Sequence, residues 1–462
     1  MPEDLDTEAD SGAGSPASPA SPAQQAQQAE QAEQAEQAEQ AEQAQQAQQA
    51  EQAVVPLSRN RDFTLLWISQ LASVLGSRMA YVAYPLLVLS LTGSPVMAGL
   101  IGTVRAAPQW ILGLPAGLIA DRVDRKRLML TCDLVCLIAL TTLVVGLATD
   151  LLTYPQVVVV ALVEGSAAVL FSPAEVSALR HVVPASQVRA ATARNESREY
   201  GAMLAGPSLG GALFAVSRFL PFLGDALSYL VSFLTVSAIR TPFRSAPARE
   251  KRTEGIVRGI GVGLSWLVRQ RFLRASVLMV AASNMVGNAM PTLIIVIAHA
   301  HGSSPALVGA VLTLSGAGGL IGSVVASWAA DRVSATTVVL GFPWVWAALL
   351  PLLFLPGGVV VMGVVFGLML AVAPLWNSVI STYRIVLVPD GLQGRVDSAC
   401  RFFTQSVSLL SPLVAGVLLE YAGTTTTIVS MLAWMVLLGL VGLIMPVLRN
   451  PPPLPGEDAA TA

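Results

Sequence analysis

The chain has 462 residues, of which 54% are hydrophobic and 12% are charged, and its formal net charge is −2. A soluble domain carries about 25% charged residues, so this composition argues against a water-soluble globular protein. The apolar residues occur in runs of about 20 residues, the length that a helix needs to cross a bilayer. These runs lack the alternation of a transmembrane β-strand. The sequence therefore predicts an all-α polytopic membrane protein.

The N-terminal tail, residues 1–55, differs in composition from the rest of the chain. Ser, Pro and Ala give way to a Gln/Glu/Ala tract in which Ala recurs at every third position from Ala23 to Ala53. A period of three drifts around a helix of 3.6 residues per turn and forms no single apolar stripe. We predict a disordered low-complexity tail in the cytoplasm, with a coiled-coil partner site as the alternative. The tail begins with acidic residues and has no early apolar run, so we expect the first span to direct insertion.

Twelve apolar segments follow the tail, and a polar stretch from Arg240 to Arg274 divides them six and six. We predict an N-terminal six-helix bundle at 56–240 and a cytoplasmic central loop with an amphipathic helix at 241–273. A C-terminal six-helix bundle at 274–448 and a C-terminal tail at 449–462 complete the chain. The predicted spans are 63–91, 96–119, 128–149, 156–178, 199–217, 222–240, 274–298, 307–329, 336–355, 359–383, 401–421 and 425–448.

Basic residues concentrate on one side of this arrangement. The end of the tail, the loops after the second and fourth spans, and the central loop carry most of them, and twelve spans place all these segments on the same side. By the positive-inside rule, both termini and the central loop are expected in the cytoplasm. The basic residues are Arg59, Arg61, Arg122, Arg125, Lys126, Arg127, Arg180, Arg189, Arg194, Arg244, Arg249, Lys251, Arg252 and Arg258.

The two halves of the chain resemble each other. "SPVMAG" at 94–99 recurs as "SPALVG" at 304–309, and Asp121-Arg122 recurs as Asp331-Arg332 at the same spacing. Four such matches in the same order indicate an internal duplication, which predicts two pseudo-symmetric six-helix bundles. That architecture is typical of rocking transporters. The other matches are Val183-Pro184 with Val388-Pro389, and Pro207 and Gly211 with Pro412 and Gly416.

Three motifs resemble those of the major facilitator superfamily. The stretch Gly117-Leu-Ile-Ala-Asp121-Arg122-Val-Asp-Arg125-Lys126 is similar to its loop 2–3 signature, G-x-x-x-D-x-x-x-R-K. The fifth span contains a motif similar to that of the antiporters, and "VPDGLQGRVDS" at 388–398 resembles the loop 10–11 sequence of the enterobactin-exporter and macrolide-efflux-like branch. The resemblance covers 57–448 and implies a twelve-helix drug/proton antiporter of bacteria. The antiporter motif comprises Gly201, Gly206, Pro207, Gly210 and Gly211.

The loop 2–3 motif is a candidate gate. Gly117 can let a neighbouring helix come close, and Asp121 at a helix end can face the positive N-terminus of another helix. In the family that neighbour is the eleventh span, and the contact holds the cytoplasmic side shut. The remaining gate candidates are Arg122, Arg125 and Lys126; the alternative is that the cluster only anchors topology. The glycines of the fifth span are expected to pack against the other bundle, either as part of an export device or as ordinary small-residue packing.

Ionisable residues inside spans are functional candidates. Glu164 in the fourth span can pair with Arg78 in the first or Arg105 in the second, and such a carboxyl group is a candidate for proton exchange. A static ion pair is the alternative. The Arg that many antiporters carry in the fourth span is replaced here by Glu164-Gly165. Asp225 is a further proton-coupling candidate, although its position near the start of the sixth span favours a cap or interface residue.

The second half offers polar and aromatic residues for a substrate cavity. The seventh and tenth spans line the cavity in the family, and here they carry amide and indole groups without an acid. Such a lining suits a small amphiphilic substrate. The candidates are Asn284, Asn288, Trp376 and Asn377.

These observations favour a secondary efflux transporter for a drug-like or natural-product small molecule. The proton gradient is the expected energy source, without a cofactor, and we expect a monomer in the bacterial cytoplasmic membrane that binds no nucleic acid. The sequence has no phosphate-binding loop, no nucleophile elbow and no His cluster for a metal, so ATP-driven transport and an enzyme are disfavoured. An uptake symporter of the same fold and a transporter-like receptor or scaffold remain the alternatives.

Overall fold

The computed structural model describes residues 56–241, 243, 255–329, 332–389 and 392–452. The predictions for the tail at 1–55, for most of the C-terminal tail and for Asp331 lie outside these residues. The chain from Leu57 onward forms one compact unit, and the account below concerns that unit.

In the described part of the chain, the secondary structure consists of fourteen α-helices and two short 3₁₀ segments, at Ala185–Gln187 and Leu350–Phe354. The six helices of the first half are α1 (Arg61–Thr92), α2 (Pro95–Arg122), α3 (Arg125–Ala148), α4 (Tyr154–Val182), α5 (Val188–Val216) and α6 (Leu220–Ala238). Then follow α7 (Gly255–Arg269), α8 (Arg271–Ala300), α9 (Pro305–Ala329), α10 (Ala335–Leu349), α11 (Gly358–Leu387), α12 (Gln393–Tyr421), α13 (Gly423–Ile444) and α14 (Pro446–Arg449).

The twelve predicted spans correspond to α1–α6 and α8–α13, whereas α7 lies in the predicted central loop. Ten of these twelve helices are long and apolar enough to cross a membrane; α2 and α5 are not among the ten. The structure confirms an all-helical, multi-pass membrane protein, and the exact count of twelve spans stays a prediction. Two helices begin earlier than expected, α5 at Val188 and α12 at Gln393, because both extend into charged residues that hydropathy assigns to loops.

Polar side chains join the helices at the end where α1 begins and where α2–α3 and α4–α5 are connected, which we call the basic end. Asn60 caps α1 by accepting from the Phe63 amide at 3.0 Å, and its amide nitrogen donates to the Val182 carbonyl at 2.9 Å. Asp62 accepts from the Thr241 amide at 3.0 Å. These bonds satisfy groups that helix ends leave unpaired and hold α1, α4 and the end of α6 together.

The opposite end of the bundle, which we call the far end, joins the two halves through α2 and α12. A Cβ atom on Gly99 would collide with the carbonyl group of Pro412, and one on Gly416 would collide with that of Pro95. Such approaches are open only to residues without a side chain, and they are typical of helix contacts in membranes. The glycines therefore let these two helices meet backbone to backbone.

The same contact recurs between α5 and α9. A Cβ atom on Gly309 would collide with the carbonyl group of Pro207, and one on Gly211 with that of Pro305. Gly309 is the duplicate of Gly99, and Pro207 and Gly211 are the duplicates of Pro412 and Gly416. The repeated residues thus occupy equivalent contacts, which bears out the pseudo-symmetry of the two halves.

Glu420 adds an electrostatic contact at the far end. Its carboxylate, on α12, accepts hydrogen bonds from the hydroxyl of Ser94 and, at 2.9 Å, from the amide of Val96. Both donors lie at the start of α2, where free amides and the helix dipole favour a negative charge. Glu420 therefore holds the second half against the first beside the glycine contacts.

The Gly309→Ala variant should lower the free energy of unfolding by about 1–3 kcal/mol, the usual cost of over-packing. The added methyl group would separate α5 from α9 at the carbonyl of Pro207. Thermal unfolding of the purified protein in detergent measures the change.

Gly316→Ala is the matched control for that variant. It lies on the same helix, but the nearest atom to an added methyl group is Leu204 Cδ2 at 3.7 Å, an ordinary contact. Replacement of Gly by Ala inside a helix gains up to about 1 kcal/mol, so this variant should be unchanged or slightly stabilised. Equal stability of the two variants would contradict the close contact at Gly309.

Candidate transport site

Two carboxyl groups meet inside the first half. Glu164 on α4 is 1% exposed, and Asp225 on α6 is fully buried. The two groups interact with each other electrostatically, and Tyr84 on α1 donates its hydroxyl to Glu164 Oε2. Among the described residues, Glu164 Oε1 and Asp225 Oδ2 accept from no conventional donor. Two ionised carboxylates close together in a buried site repel each other, so a proton on one of them would stabilise the pair.

Glycines on the neighbouring helices make room for this carboxyl pair. A Cβ atom on Gly76 of α1 would collide with the carboxylate of Asp225, and one on Gly165 of α4 would collide with the carbonyl of Arg105 on α2. The sequence thus places small residues where α1 meets α6 and where α2 meets α4. Larger residues at these positions would push the acids apart or expose them.

Arg105 lies beside the pair without pairing directly with Glu164. Its guanidinium nitrogens donate to the Ser77 carbonyl, both at 3.4 Å, and its Cζ lies 5.6 Å from the centre of the Tyr84 ring. This cation–π geometry is attractive. The contact predicted between Glu164 and Arg105 is therefore indirect, through Tyr84.

Asp225 corrects one of our predictions. It does not cap α6, since the cap position is Phe219 and Asp225 lies more than one turn inside the helix. Ser228, one turn further on, donates to the Asp225 carboxylate at 3.2 Å. Sequence position suggested the membrane surface, whereas packing against α1 and α4 buries this residue completely.

The prediction that Arg78 pairs with Glu164 is also wrong. Arg78 forms an ion pair with Glu199 of α5 at 3.6 Å. Glu199 lies 3.7 Å from Arg198, and Arg198 also pairs with Glu175 of α4 at 3.3 Å. This network escaped prediction because we placed the start of the fifth span at residue 199, which left Arg198 in a loop.

A cavity of 340 Å³ in the first half adjoins these charged groups. Its lining includes Arg78, Glu199 and Glu175 from the network, and Arg105 and Tyr229 from the neighbourhood of the carboxyl pair. The cavity therefore extends from the ion-pair network to the surroundings of Glu164 and Asp225.

A second cavity, of 210 Å³, lies between the two halves. Tyr81, Tyr84 and Arg105 line it from the first half, and Pro291, Thr292 and Pro412 are among its residues from the second half. Tyr84 thus contacts the carboxyl pair and at the same time borders a space that both halves enclose.

The four residues of the second half that were predicted to line a cavity lie in different environments. Asn377 on α11 lines a cavity of 530 Å³ that also contacts Tyr200 and Met203 of α5. Trp376, its neighbour in sequence, is instead buried against Phe342, with ring centres 3.9 Å apart. The prediction that Trp376 lines a cavity is therefore wrong, because the helix turns its indole into the core of the second half.

Asn284 and Asn288 lie one turn apart on α8. The amide nitrogen of Asn288 donates to the Asn284 carbonyl at 2.9 Å and to the hydroxyl of Ser408 on α12 at 3.3 Å. Asn288 is exposed, so its remaining amide oxygen is accessible. These residues link α8 to α12, and their contact with a substrate stays a prediction.

The structure describes part of the gate motif. Lys126 donates to the Ser237 and Ile239 carbonyls at 2.8 and 2.7 Å, and Arg125 donates to the Phe243 carbonyl at 3.3 Å. Lys126 thus lies at the C-terminal end of α6, where the helix dipole favours positive charge, and Arg125 contacts the segment that follows this helix. The side chains of Asp121 and Arg122 lie outside the described residues, so the gate contact predicted for Asp121 stays a prediction.

The close approach predicted at Gly117 is not made by any described residue. A Cβ atom there would have no described neighbour within 4 Å, so no described helix makes the close approach that we expected. The glycine lies well beyond the far-end contacts of α2, on the part of the helix near the basic end.

The antiporter motif packs in two directions. Gly211 and Pro207 contact the second half at α9, as predicted. Gly206 and Gly210 instead receive the backbone of α1 at Arg78 and Met79, within the first half. Gly201 is exposed and has no described neighbour in reach of a Cβ atom. The motif therefore holds α5 between α1 and α9.

A helical bundle of two similar halves, with buried charged groups beside a cavity that both halves line, defines the class of secondary transporters. The model of one family matches residues 52–452, and its description is transmembrane secretion effector. The chain belongs to this family of the major facilitator superfamily, which confirms the resemblance carried by the motifs.

Curated relatives and solved structures agree with this assignment. The chain is 26% identical over 400 residues to the multidrug efflux pump Tap of Mycolicibacterium fortuitum, covering 84% of this chain and 96% of that protein. It is 22% identical over 181 residues to macrolide efflux protein A of Streptococcus pyogenes, covering 39% and 45%. A bacterial homologue of the iron transporter ferroportin has the same fold, with a TM-score of 0.66 at 14% identity, covering 84% of this chain and 99% of that one.

The Arg198→Met variant should lower the free energy of unfolding by about 1–3 kcal/mol, because it leaves the partly buried Glu175 without its partner. The Arg198 side chain is 4% exposed. Thermal unfolding in detergent measures the loss.

Arg401→Met is the matched control. Arg401 pairs with Asp397 at 2.9 Å, but its side chain is 77% exposed, and exposed pairs contribute about 0–1 kcal/mol. If both variants were equally stable, the ion-pair network of the first half would have no structural role.

Proposed function

We propose that this protein exports a drug-like or natural-product small molecule across the bacterial cytoplasmic membrane in exchange for protons. The names of its relatives, a multidrug efflux pump and a macrolide efflux protein, support the direction and the kind of substrate. The excess of basic residues at the basic end supports a cytoplasmic location of that end and of both termini.

The observation that carries the proposal of proton exchange is the buried pair Glu164 and Asp225. Two buried carboxyl groups that interact this closely favour a proton on one of them. Loss of that proton would leave two negative charges together in a buried site, which is costly. The bound proton therefore stabilises the present packing of α4 and α6, and its release favours another arrangement.

Tyr84 and Arg105 connect this pair to the substrate. Both residues border the cavity between the halves, and Tyr84 also donates to Glu164. A substrate in that cavity would contact groups whose positions depend on the charge of the pair. Proton and substrate then influence each other's binding by the same factor, as thermodynamic linkage requires.

Alternating access follows if the two halves rock about the cavity. The glycine contacts and Glu420 hold the far end together in the arrangement described here. We propose that release of the proton and rocking separate these contacts, while Asp121 and Arg125 close the basic end. Substrate bound from the cytoplasm would then leave at the far end.

The lining of the cavities supports an amphiphilic substrate. Proline, isoleucine and tyrosine side chains surround the 210 Å³ space, with Arg105 and Thr292 as polar contacts. The 530 Å³ cavity between α5 and α11 adds Asn377 and Tyr200. A few polar groups in an apolar surface are typical of small-molecule sites.

Glu164→Gln and Asp225→Asn should each abolish the reduction in cellular accumulation that the wild type produces. An efflux-deficient bacterium expressing each protein is followed with a panel of dyes, macrolides and siderophores, with and without a proton ionophore. Coupling between two bound species spans about 5- to 150-fold in affinity, so a several-fold change in accumulation is expected.

Asp150→Asn is the matched control, since it removes an exposed acid from the loop between α3 and α4 and should export like the wild type. The ionophore should raise accumulation in wild-type cells to the level of the Glu164 variant. Wild-type export that resists the ionophore would contradict proton exchange.

The same experiment tests the alternatives. Increased accumulation of any compound in wild-type cells would favour an uptake symporter. Loss of a cellular phenotype on deletion of residues 1–55, with transport unchanged, would favour a receptor or scaffold acting through the tail.

A further inference from the structure

A third buried acid lies in the first half, nearer the basic end than the carboxyl pair. Asp133 on α3 is 1% exposed, and its Oδ2 accepts from the hydroxyl of Ser232 on α6 at 2.7 Å. Ser232 in turn shares a hydrogen bond of 2.9 Å with Ser69 of α1. Among the described residues, Asp133 Oδ1 has no hydrogen-bond partner.

Asp133 borders the 340 Å³ cavity of the first half, together with Gln70. The side-chain nitrogen of Gln70 is also buried and has no described partner. Unpaired buried polar groups are costly unless water reaches them, and a cavity of this volume has room for several water molecules. The cavity therefore places solvent-sized space against an incompletely bonded carboxyl group.

A polar stripe of α6 runs from Asp225 of the carboxyl pair to Ser232, the residue that donates to Asp133. Asp225, Ser228, Tyr229 and Ser232 recur at the spacing of one helix face. Asp225 and Ser232 are seven positions apart, which corresponds to about 10 Å along the helix axis. Tyr229 lies between them and faces the cavity, where it interacts with Ser77.

We infer that Asp133 is a second proton-binding residue, which passes protons between the basic end and the Glu164–Asp225 pair through this cavity. The inference rests on the proposed proton exchange. The O–H bond on one carboxyl group of the pair breaks and an O–H bond forms at Asp133 Oδ1; Tyr229 and each relaying water lose one O–H bond and gain another, so they end unchanged. The route runs inside the first half, so a substrate between the halves does not block it.

The charged and titratable groups that face this route come from every neighbouring helix. Arg105 and Arg78 carry positive charges. These charges stabilise the ionised form of a nearby carboxyl group and so favour release of its proton. The full set is Asp133, Glu164, Asp225, Glu175, Glu199, Tyr81, Tyr84, Tyr229, Cys132, Cys136, Arg78 and Arg105.

Infrared spectroscopy of the purified full-length protein tests the inference with the proton as the only ligand. A protonated buried carboxyl group has its own C=O stretching band, and a rapid pH jump gives the rate at which that band changes. The bands lost in Glu164→Gln and Asp225→Asn identify the pair. In Asp133→Asn, we expect the band of the pair to remain but to respond about 100-fold more slowly, the lower end of what a positioned acid or base contributes to proton transfer.

Further variants distinguish a role of Asp133 in proton transfer from a purely structural role. Asp133→Glu should restore most of the rate, which a purely structural role of the aspartate would not. Ser283→Ala, which removes an unpaired buried hydroxyl from the second half, is the control and should respond like the wild type. If Asp133→Asn does not fold, Ser232→Ala removes the donor to Asp133 and should also slow the response.

The outcomes separate the two proposals. Suppose that the band of the pair is absent in Glu164→Gln, but that in Asp133→Asn it responds to the pH jump at the wild-type rate. This result overturns the route through Asp133 and leaves the proton exchange of the pair intact. A spectrum of Glu164→Gln and Asp225→Asn identical to that of the wild type overturns the protonated pair itself.

Discussion

The contact on which the rest of this structure depends is the close approach of helix backbones at glycine. Lipid tails are as apolar as leucine, so hydrophobicity alone does not draw two helices together within a membrane. Contact at short range must supply the attraction, and a side chain at Gly309 or Gly99 would prevent it. The two halves meet through these positions and their duplicates, and Glu420 adds a charge at the start of α2. The far end is closed because these small residues are there.

Glycine also sets the position of the charges. Gly76 admits the carboxylate of Asp225, and Gly165 admits the backbone of Arg105. The acids of the first half are consequently buried together between α1, α2, α4 and α6. In the second half, the described acids lie nearer solvent: Asp397 pairs with Arg384 and Arg401, and Glu420 is exposed. Pseudo-symmetry of the backbone therefore accompanies a strong asymmetry of chemistry.

This asymmetry fits the division of labour that we propose. The first half holds the groups that can bind a proton, and the second half contributes mainly apolar and amide surface to the cavities. Tyr84 belongs to both regions, because it donates to Glu164 and borders the space between the halves. In our proposal, a change in charge on the carboxyl pair therefore reaches the space between the halves through one side chain, without a long chain of intermediates.

The sequence by itself determined the helical membrane architecture, the pseudo-symmetry and the packing of fifth-span residues against the other bundle. Long apolar runs allow only helices in a bilayer, and the recurrence of glycine and proline at matched positions is visible without coordinates. It also identified Glu164, Arg105 and Asp225 as candidates, since charges inside spans are rare. Which partners these residues meet was decided only by tertiary structure. Arg78 pairs with Glu199, and α1 buries Asp225. Trp376 lies in the core of the second half, whereas its neighbour Asn377 lines a cavity. These outcomes depend on the rotation of each helix about its axis, which is set by packing between helices and not by local sequence.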